Sequence, residues 1–224
     1  MSRESHPPVI AIDGPSASGK GTVAARVAEA LGFRYLDSGA LYRLAALAAR
    51  DSGVHLDDEA ALAALAGRMQ VEFRDGVTWL EGRDVTAALR SEEVGTAASR
   101  VAARGQVRQA LLARPRGFRT PPGLVADGRD MGSVVFPDAP LKVFLTAGVD
   151  TRAERRHKQL MEKGMYAKIG DVVEELRRRD ERDSSRPVAP LKHYPDAIFL
   201  DTTGLSVEEA VRQILGWWRE RAPA

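Results

Sequence analysis

The sequence predicts an α/β fold: a parallel sheet of five strands flanked by helices. Three observations carry this. Five short runs have strand length: Val9–Ile12, Arg34–Asp37, Leu124–Asp127, Leu141–Leu145 and Ala197–Leu200. Helical stretches separate them, and strands that alternate with helices pair in parallel. Polar chemistry collects where strands end, at Asp13-Gly14, Asp37-Ser38 and Asp127 to Asp130, and ligands of such sheets sit beyond the carboxyl ends of the strands.

The first strand, Val9–Ile12, is short and apolar enough for burial. It runs into Gly14-Pro15-Ser16-Ala17-Ser18-Gly19-Lys20-Gly21-Thr22, after which Val23, Val27 and Leu31 recur every four residues on one helix face. Strand, glycine-rich turn and helix are the context a phosphate-binding loop requires. Glycines let backbone N–H groups turn inward on phosphate oxygens, and the helix N-terminus adds its dipole. Lys20 supplies a point charge for the β- and γ-phosphates. The general motif places Ser or Thr after the lysine as a Mg²⁺ ligand. Here Gly21 takes that place and the hydroxyl comes at Thr22. A metal would then be held mainly by water and nucleotide. Gly-Lys-Gly-Thr resembles the variant of nucleoside monophosphate kinases.

Gly32 closes the first helix, and Ser38-Gly39 ends the second strand. Ala40 to Arg50 reads as an alanine-leucine helix stopped by Asp51-Ser-Gly53. Asp57-Asp-Glu59 opens another by acidic bias at its N-terminus, running to about Gly67. From Met69 the period changes. Val71 and Phe73, then Val77 and Trp79, alternate with polar residues around Asp75-Gly76, a strong hairpin signal. Ser91-Glu-Glu93 caps a helix with Val94, Ala97, Ala98 and Val101 on its apolar face. Gly105 separates it from a helix over Gln106–Ala113, and Pro115 with Pro121-Pro-Gly123 forms a break.

Leu124–Asp127 and Leu141–Leu145 are the next strands, the latter with little polar alternation, as burial on both faces predicts. Asp150–Lys163 and Gly170 to about Asp183 read as a charged helical pair. Between Arg152 and Arg186 eight Arg and three Lys face eight acids. Ser184 to Tyr194 lacks periodicity. Ala197–Leu200 follows, and Ser206-Val-Glu-Glu209 is a capping box for a last helix striped by Val207, Ala210, Val211, Ile214, Leu215 and Trp218.

Composition bounds the partners. The 224 residues are 44% apolar, enough for one domain over residues 9–224 with inserted parts. The 33 basic and 31 acidic residues nearly balance, so no nucleic-acid footprint is read from charge. Aromatics are only 6%, and Trp217-Trp218 lies outside the basic segment, which weighs against an RNA-binding module. Zero cysteines exclude disulfides and fit the cytoplasm. The polar start carries no signal segment, no run reaches the ~18 apolar residues of a membrane span, and residues 1–8 read as a loose tail.

Three further segments are more specific than the loop. Asp37-Ser-Gly-Ala-Leu-Tyr-Arg43, Ala126-Asp-Gly-Arg-Asp-Met-Gly-Ser-Val-Val-Phe-Pro-Asp138 and Arg179-Asp-Glu-Arg-Asp-Ser-Ser-Arg-Pro-Val-Ala-Pro190 resemble the bacterial cytidylate kinase family. The resemblance runs from about Val9 to Trp218. It implies a three-layer fold of the P-loop NTPase type with its core over about 9–37, 123–149 and 195–222. An NMP-binding insert with the hairpin would span about 38–118, and a helical lid about 150–186. It implies phosphoryl transfer from ATP, with Mg²⁺, to CMP or dCMP by a monomer.

By resemblance Arg43, Arg129 and Arg186 take the acceptor phosphate, a role suited to the bidentate, permanently charged guanidinium. Ser99, Arg108 and Asp130 take the base. A carboxylate that accepts from the exocyclic amine disfavours uracil, which carries a carbonyl there. Arg179 and Asp183 resemble the pair around the ribose. Asp37, Ser38 and Tyr42 line the acceptor pocket, with a half-buried core role equally open for Tyr42. Arg152 and Arg156 are lid arginines that close on the donor phosphates. Asp13 and Asp127 either orient the water shell of Mg²⁺ or cap turns. No His/Asp/Glu cluster suggests a structural metal.

Two competing readings fit the same residues. One is a P-loop kinase for UMP, AMP or a small alcohol such as shikimate. The other is a nucleotide-binding switch, which lacks support because no Asn-Lys-x-Asp segment is present.

Overall fold

The computed structural model describes residues 6–74 and 76–222. In chain order the elements are β1 (Val9–Asp13), α1 (Lys20–Leu31), β2 (Arg34–Asp37), α2 (Ser38–Asp51), α3 (Glu59–Arg68), β3 (Val71–Arg74), β4 (Val77–Leu80) and β5 (Arg83–Asp84). Then come α4 (Glu92–Val101), α5 (Gly105–Leu111), α6 (Ala113–Arg116), β6 (Leu124–Gly128), β7 (Leu141–Thr146), α7 (Val149–Glu162), α8 (Ile169–Ser185), β8 (Ile198–Asp201) and α9 (Val207–Arg221). The chain divides into two compact units, residues 1–36 with 116–224, and residues 37–115.

The first unit is built on a five-stranded parallel sheet in the order β2-β6-β1-β7-β8. β1 lies at its centre, with Ala11 opposite both Ala126 and Lys142, and Asp13 opposite Gly128 and Phe144. Every residue of β1 and β6 is buried, which is why these runs carry no polar alternation. Ile10, Ile12, Val125, Val143 and Leu145 pack with Val23 and Val27 of α1 and with Ile214 and Trp218 of α9. The capping box at Ser206 is formed on both sides: the Ser206 hydroxyl accepts from Glu209 N–H, and the Glu209 carboxylate accepts from Ser206 N–H.

β7 departs from the expectation of full coverage. Leu141, Val143 and Leu145 are buried, whereas Lys142, Phe144 and Thr146 are only half-buried. Their side is met by the aperiodic segment that follows α8. Lys142 Nζ donates to Asp196 at 2.5 Å, and the Phe144 ring neighbours His193 and Phe199. The expected tail also needs correction. Met1–Ser5 lie outside the described residues. Pro7 O accepts from Arg119 Nε at 2.7 Å, and Pro8 O accepts from Leu124 N–H at 3.0 Å, so these two residues are fastened to the start of β6 and the chain that enters it. A proline cannot donate to a ladder, but its carbonyl still accepts.

In the second unit, α2 and α3 pack with α4 and α5 around Leu41, Leu44, Leu47, Leu62, Leu65, Val94, Val101, Val107 and Leu111. The hairpin is present, with Val71 opposite Leu80 and Arg74 opposite Val77. Asp75 of its turn lies outside the described residues. A third strand, β5, extends this hairpin into a small antiparallel sheet. Its two residues are too short a run to show periodicity. Pro115 does not break the chain as expected, because it falls in the first turn of the four-residue α6, where no N–H is needed for a helical bond.

Candidate active site

In the first unit the glycine-rich loop joins β1 to α1, and the helix begins three residues earlier than its apolar face suggests, at Lys20. Gly19, at φ 89, is the cap residue before it. Left-handed backbone there turns the chain from loop to helix, which glycine does without strain. Gly14 is required for a different reason. A Cβ on it would lie 1.9 Å from the Leu145 carbonyl oxygen, so the loop leaves the sheet in contact with β7.

The loop is braced from outside. The Lys20 ammonium donates to Pro15 O at 3.2 Å. Arg152 donates to Ser16 O at 3.1 Å, Arg155 to Ser18 O at 3.0 Å, and the Thr202 hydroxyl lies 3.1 Å from the same oxygen. Carbonyls engaged outward leave amides for an anion. Arg152 also reaches Ala147 O and both oxygens of Asp180. It is buried at the base of α7, where these bonds brace the loop. Arg156, one residue beyond Arg155, contacts Gln159. Arg155 and Thr202 were missed by sequence reasoning. The spacing Arg152-x-x-Arg155-Arg156 was the available signal, but it does not tell which arginine faces the loop.

Three carboxylates stand at the sheet's carboxyl edge. Asp127 pairs with Lys20 at 3.9 Å and accepts from the Tyr35 hydroxyl at 3.2 Å. A Cβ on Gly21 would come within 3.1 Å of Asp127 Oδ2. A Ser or Thr in place of Gly21 would press on the Asp127 carboxylate unless that side chain gave way. Asp13 gives both oxygens to backbone amides, Oδ1 to Met131 and Oδ2 to Gly132, each at 2.8 Å. Of the two roles open to Asp13, the turn cap is the one its contacts fill. Burial pushes its carboxyl up to about 7, against the two amide bonds and with Asp130 and Asp127 adding to the rise. Asp130 is buried at the start of a π-helical turn over Met131–Val135. That turn carries no periodic signal in the sequence, and such turns collect at functional sites.

Arg129, Arg179 and Arg186 converge electrostatically on Asp183. The Arg129 Nε donates to Asp183 Oδ2 at 2.9 Å, with both side chains largely buried. Burial works against ionisation of Asp183, but Arg129, Arg186 and Arg179 outweigh it and hold the carboxyl below its ordinary value. Burial works against the charge of Arg129, but Asp183, with Asp127 and Asp13, outweighs it and holds the guanidinium charged. Arg186 is buried and donates to Ala189 O.

In the second unit Asp37 caps α2. Its Oδ1 accepts from Gly39 N–H at 2.9 Å and its Oδ2 from Arg43 at 3.1 Å. A Cβ on Gly39 would lie 2.9 Å from that Oδ1, so any larger residue there would push the cap carboxylate aside. Ser38 is buried beside it. The Arg108 guanidinium stacks 5.6 Å from the Tyr42 ring centre and donates to Ala102 O at 3.2 Å. Ser99 is buried on α4. Tyr42 is therefore an arginine platform as well as a half-buried residue.

A glycine loop on a helix start, a lysine, and arginines gathered on an acid beside it make an anion-handling arrangement. The family model described as "Cytidylate kinase" matches residues 10–220. The chain belongs to the cytidylate kinase family. A cytidylate kinase of Paraburkholderia phymatum is 59% identical over 216 residues, covering 96% of this chain and 95% of that protein. One of Chromobacterium violaceum is 58% identical over 214 residues, covering 96% of each. Among solved structures, an uncharacterized protein from Eubacterium ventriosum is similar in fold, with a TM-score of 0.50 and 14% identity, over 96% of this chain and 99% of that one. Among the described residues of this family member no helix is long and apolar enough to cross a membrane. No cluster of three or more His, Cys, Asp or Glu is placed to hold a metal ion among them.

Proposed function

We infer that the protein transfers the γ-phosphoryl group of ATP to CMP or dCMP, giving CDP or dCDP and ADP. The observation that carries this reading is the pairing of a braced phosphate loop with Asp130 and Arg129 on one short turn. Phosphoryl transfer needs positioning and neutralised charge more than covalent help. Loop residues Gly14 to Thr22 hold the donor phosphates, and Lys20 neutralises charge on the transferring group. Arg43, Arg129 and Arg186 bind the acceptor phosphate. Ser99, Arg108 and Asp130 read cytosine, Arg179 and Asp183 hold the ribose, and Asp37, Ser38 and Tyr42 support the acceptor side.

Residues 38–118 act as the NMP-binding insert and 150–186 as the lid. Within the lid, Arg152 keeps the loop braced and Arg156 closes on the donor phosphates, excluding water. For Mg²⁺ the Asp127 carboxylate beside Gly21 fits the metal's preference for oxygen, and it would hold the water shell, since Gly21 supplies no hydroxyl. The ion when bound neutralises charge on the β- and γ-phosphates. The enzyme works in the cytoplasm as a monomer on small-molecule substrates.

The test is ADP release with Mg·ATP and CMP, dCMP, UMP, AMP, GMP, shikimate or no acceptor. Release with CMP and dCMP far above the rest supports the reading. Equal release with UMP or shikimate removes the base-reading roles, and release without an acceptor points to a hydrolase. Asp130→Ala should lose preference for CMP over UMP while still binding ATP; an unchanged preference removes Asp130 from base reading.

A further inference from the structure

Asp13 is the last residue of β1, immediately before the phosphate loop. Its place in the sequence assigns it to the donor side. Its bonds point elsewhere. Both carboxylate oxygens are taken by the amides of Met131 and Gly132, the two residues that follow Asp130. Those two bonds tie the end of one central strand to the turn that leaves its neighbour, across the Asp13–Gly128 register of the sheet.

On its other side the turn runs close against β7: a Cβ on Gly132 would lie 3.1 Å from the Lys142 Cγ. Inside the turn, Val135 N–H reaches Asp130 O at 3.2 Å and Phe136 N–H reaches Met131 O at 2.7 Å, closing two wide rings. Arg129 and Asp130 stand at the mouth of this frame, Asp130 only 3% exposed. A buried carboxylate with Asp127 and Asp130 for neighbours is a costly cap. A serine hydroxyl would cap one of these amides without burying a charge, and locally unfavourable choices concentrate at functional sites.

We propose that Asp13 is a positioning residue for the nucleoside monophosphate: it fixes the Gly128–Gly132 turn so that Arg129 and Asp130 meet the acceptor, although it stands at the base of the donor loop. This rests on the acceptor roles given above to Arg129 and Asp130. A carboxylate is needed because one group must accept from two adjacent amides at once. An asparagine of the same shape offers one oxygen and turns an N–H₂ toward the second amide, leaving that donor unsatisfied.

The test is Asp13→Asn, with CMP, UMP and ATP varied separately in steady state, beside Asp130→Ala. The KM for CMP should rise about tenfold and the preference for CMP over UMP should fall, while the KM for ATP stays within about threefold. A rise in the ATP constant equal to that for CMP, or unchanged constants for both, overturns the proposal. If Asp130→Ala loses the CMP preference while Asp13→Asn keeps wild-type CMP constants, the proposal alone fails. If Asp130→Ala keeps the preference, base reading by Asp130 fails and the proposal falls with it.

Amide hydrogen exchange on the wild-type protein decides the matter if Asp13→Asn does not fold. The Met131 and Gly132 amides should exchange slowly, and slower still with CMP than with ATP. Exchange as fast as that of exposed loop amides, or protection gained with ATP and not with CMP, overturns the proposal.

Discussion

Asp183 shows how much of a residue's behaviour is decided by its neighbours. Alone, a 4% exposed carboxylate would protonate readily; with Arg129 bonded to it and Arg186 and Arg179 nearby, its carboxyl is held below the ordinary 3.8. A lowered value in the folded state means that the ionised form stabilises the fold. That contribution is complete above about pH 4 and is lost as pH falls through the lower, folded value. Asp183→Asn should therefore unfold at lower urea than wild type at neutral pH, with the gap closing in acid below the ordinary carboxylate value. A gap that stays constant down to pH 2 would assign the loss to packing. Asp37 and Gly39 teach the same lesson on the surface of α2: the motif that resembles a substrate segment is also a helix cap whose carboxylate a Cβ at residue 39 would displace.

At the scale of elements, each strand and helix that the pattern of residues announced is present, and the differences lie at the ends and in the short pieces. α1 starts at Lys20 because the loop's left-handed Gly19 commits the next residue to the helix, before the apolar face begins. β5 and the π-helical turn after β6 escaped because neither has a period to read. The last helix is a case where local chemistry was fully legible. Ser206 and Glu209 satisfy each other's backbone amides. Ser206→Ala should cost about 1 kcal/mol, lowering the melting temperature by roughly 2–4 °C, and Ser206→Asp should largely restore it. Thermal melts of the two variants beside wild type check this.

For the molecule as a whole, a protein that binds nucleotides only when folded is stabilised by them through mass action. CMP at about a hundred times its dissociation constant should add about 2.7 kcal/mol, and UMP at the same concentration much less. Thermal unfolding with each nucleotide measures this independently of turnover. Equal shifts from CMP and UMP would contradict base reading by Asp130, even if phosphoryl transfer is retained.

The sequence by itself determined the parallel α/β sheet, the phosphate loop and the family, because apolar period, glycine spacing and cap chemistry are local and are written in adjacent residues. The family segments also supplied candidate residues on both units. Tertiary structure alone decided which groups spend their charge on one another. Arg152 bracing Ser16 O, Arg155 and Thr202 holding Ser18 O, Arg129 on Asp183 and Asp13 on the amides of Met131 and Gly132 join residues from 54 to 184 positions apart, on separate elements whose meeting no local pattern fixes. An arginine or aspartate has the same propensity whether it meets substrate or scaffold. Only the packing of the sheet and its helices brings a particular carbonyl or carboxylate within reach, and so selects its role.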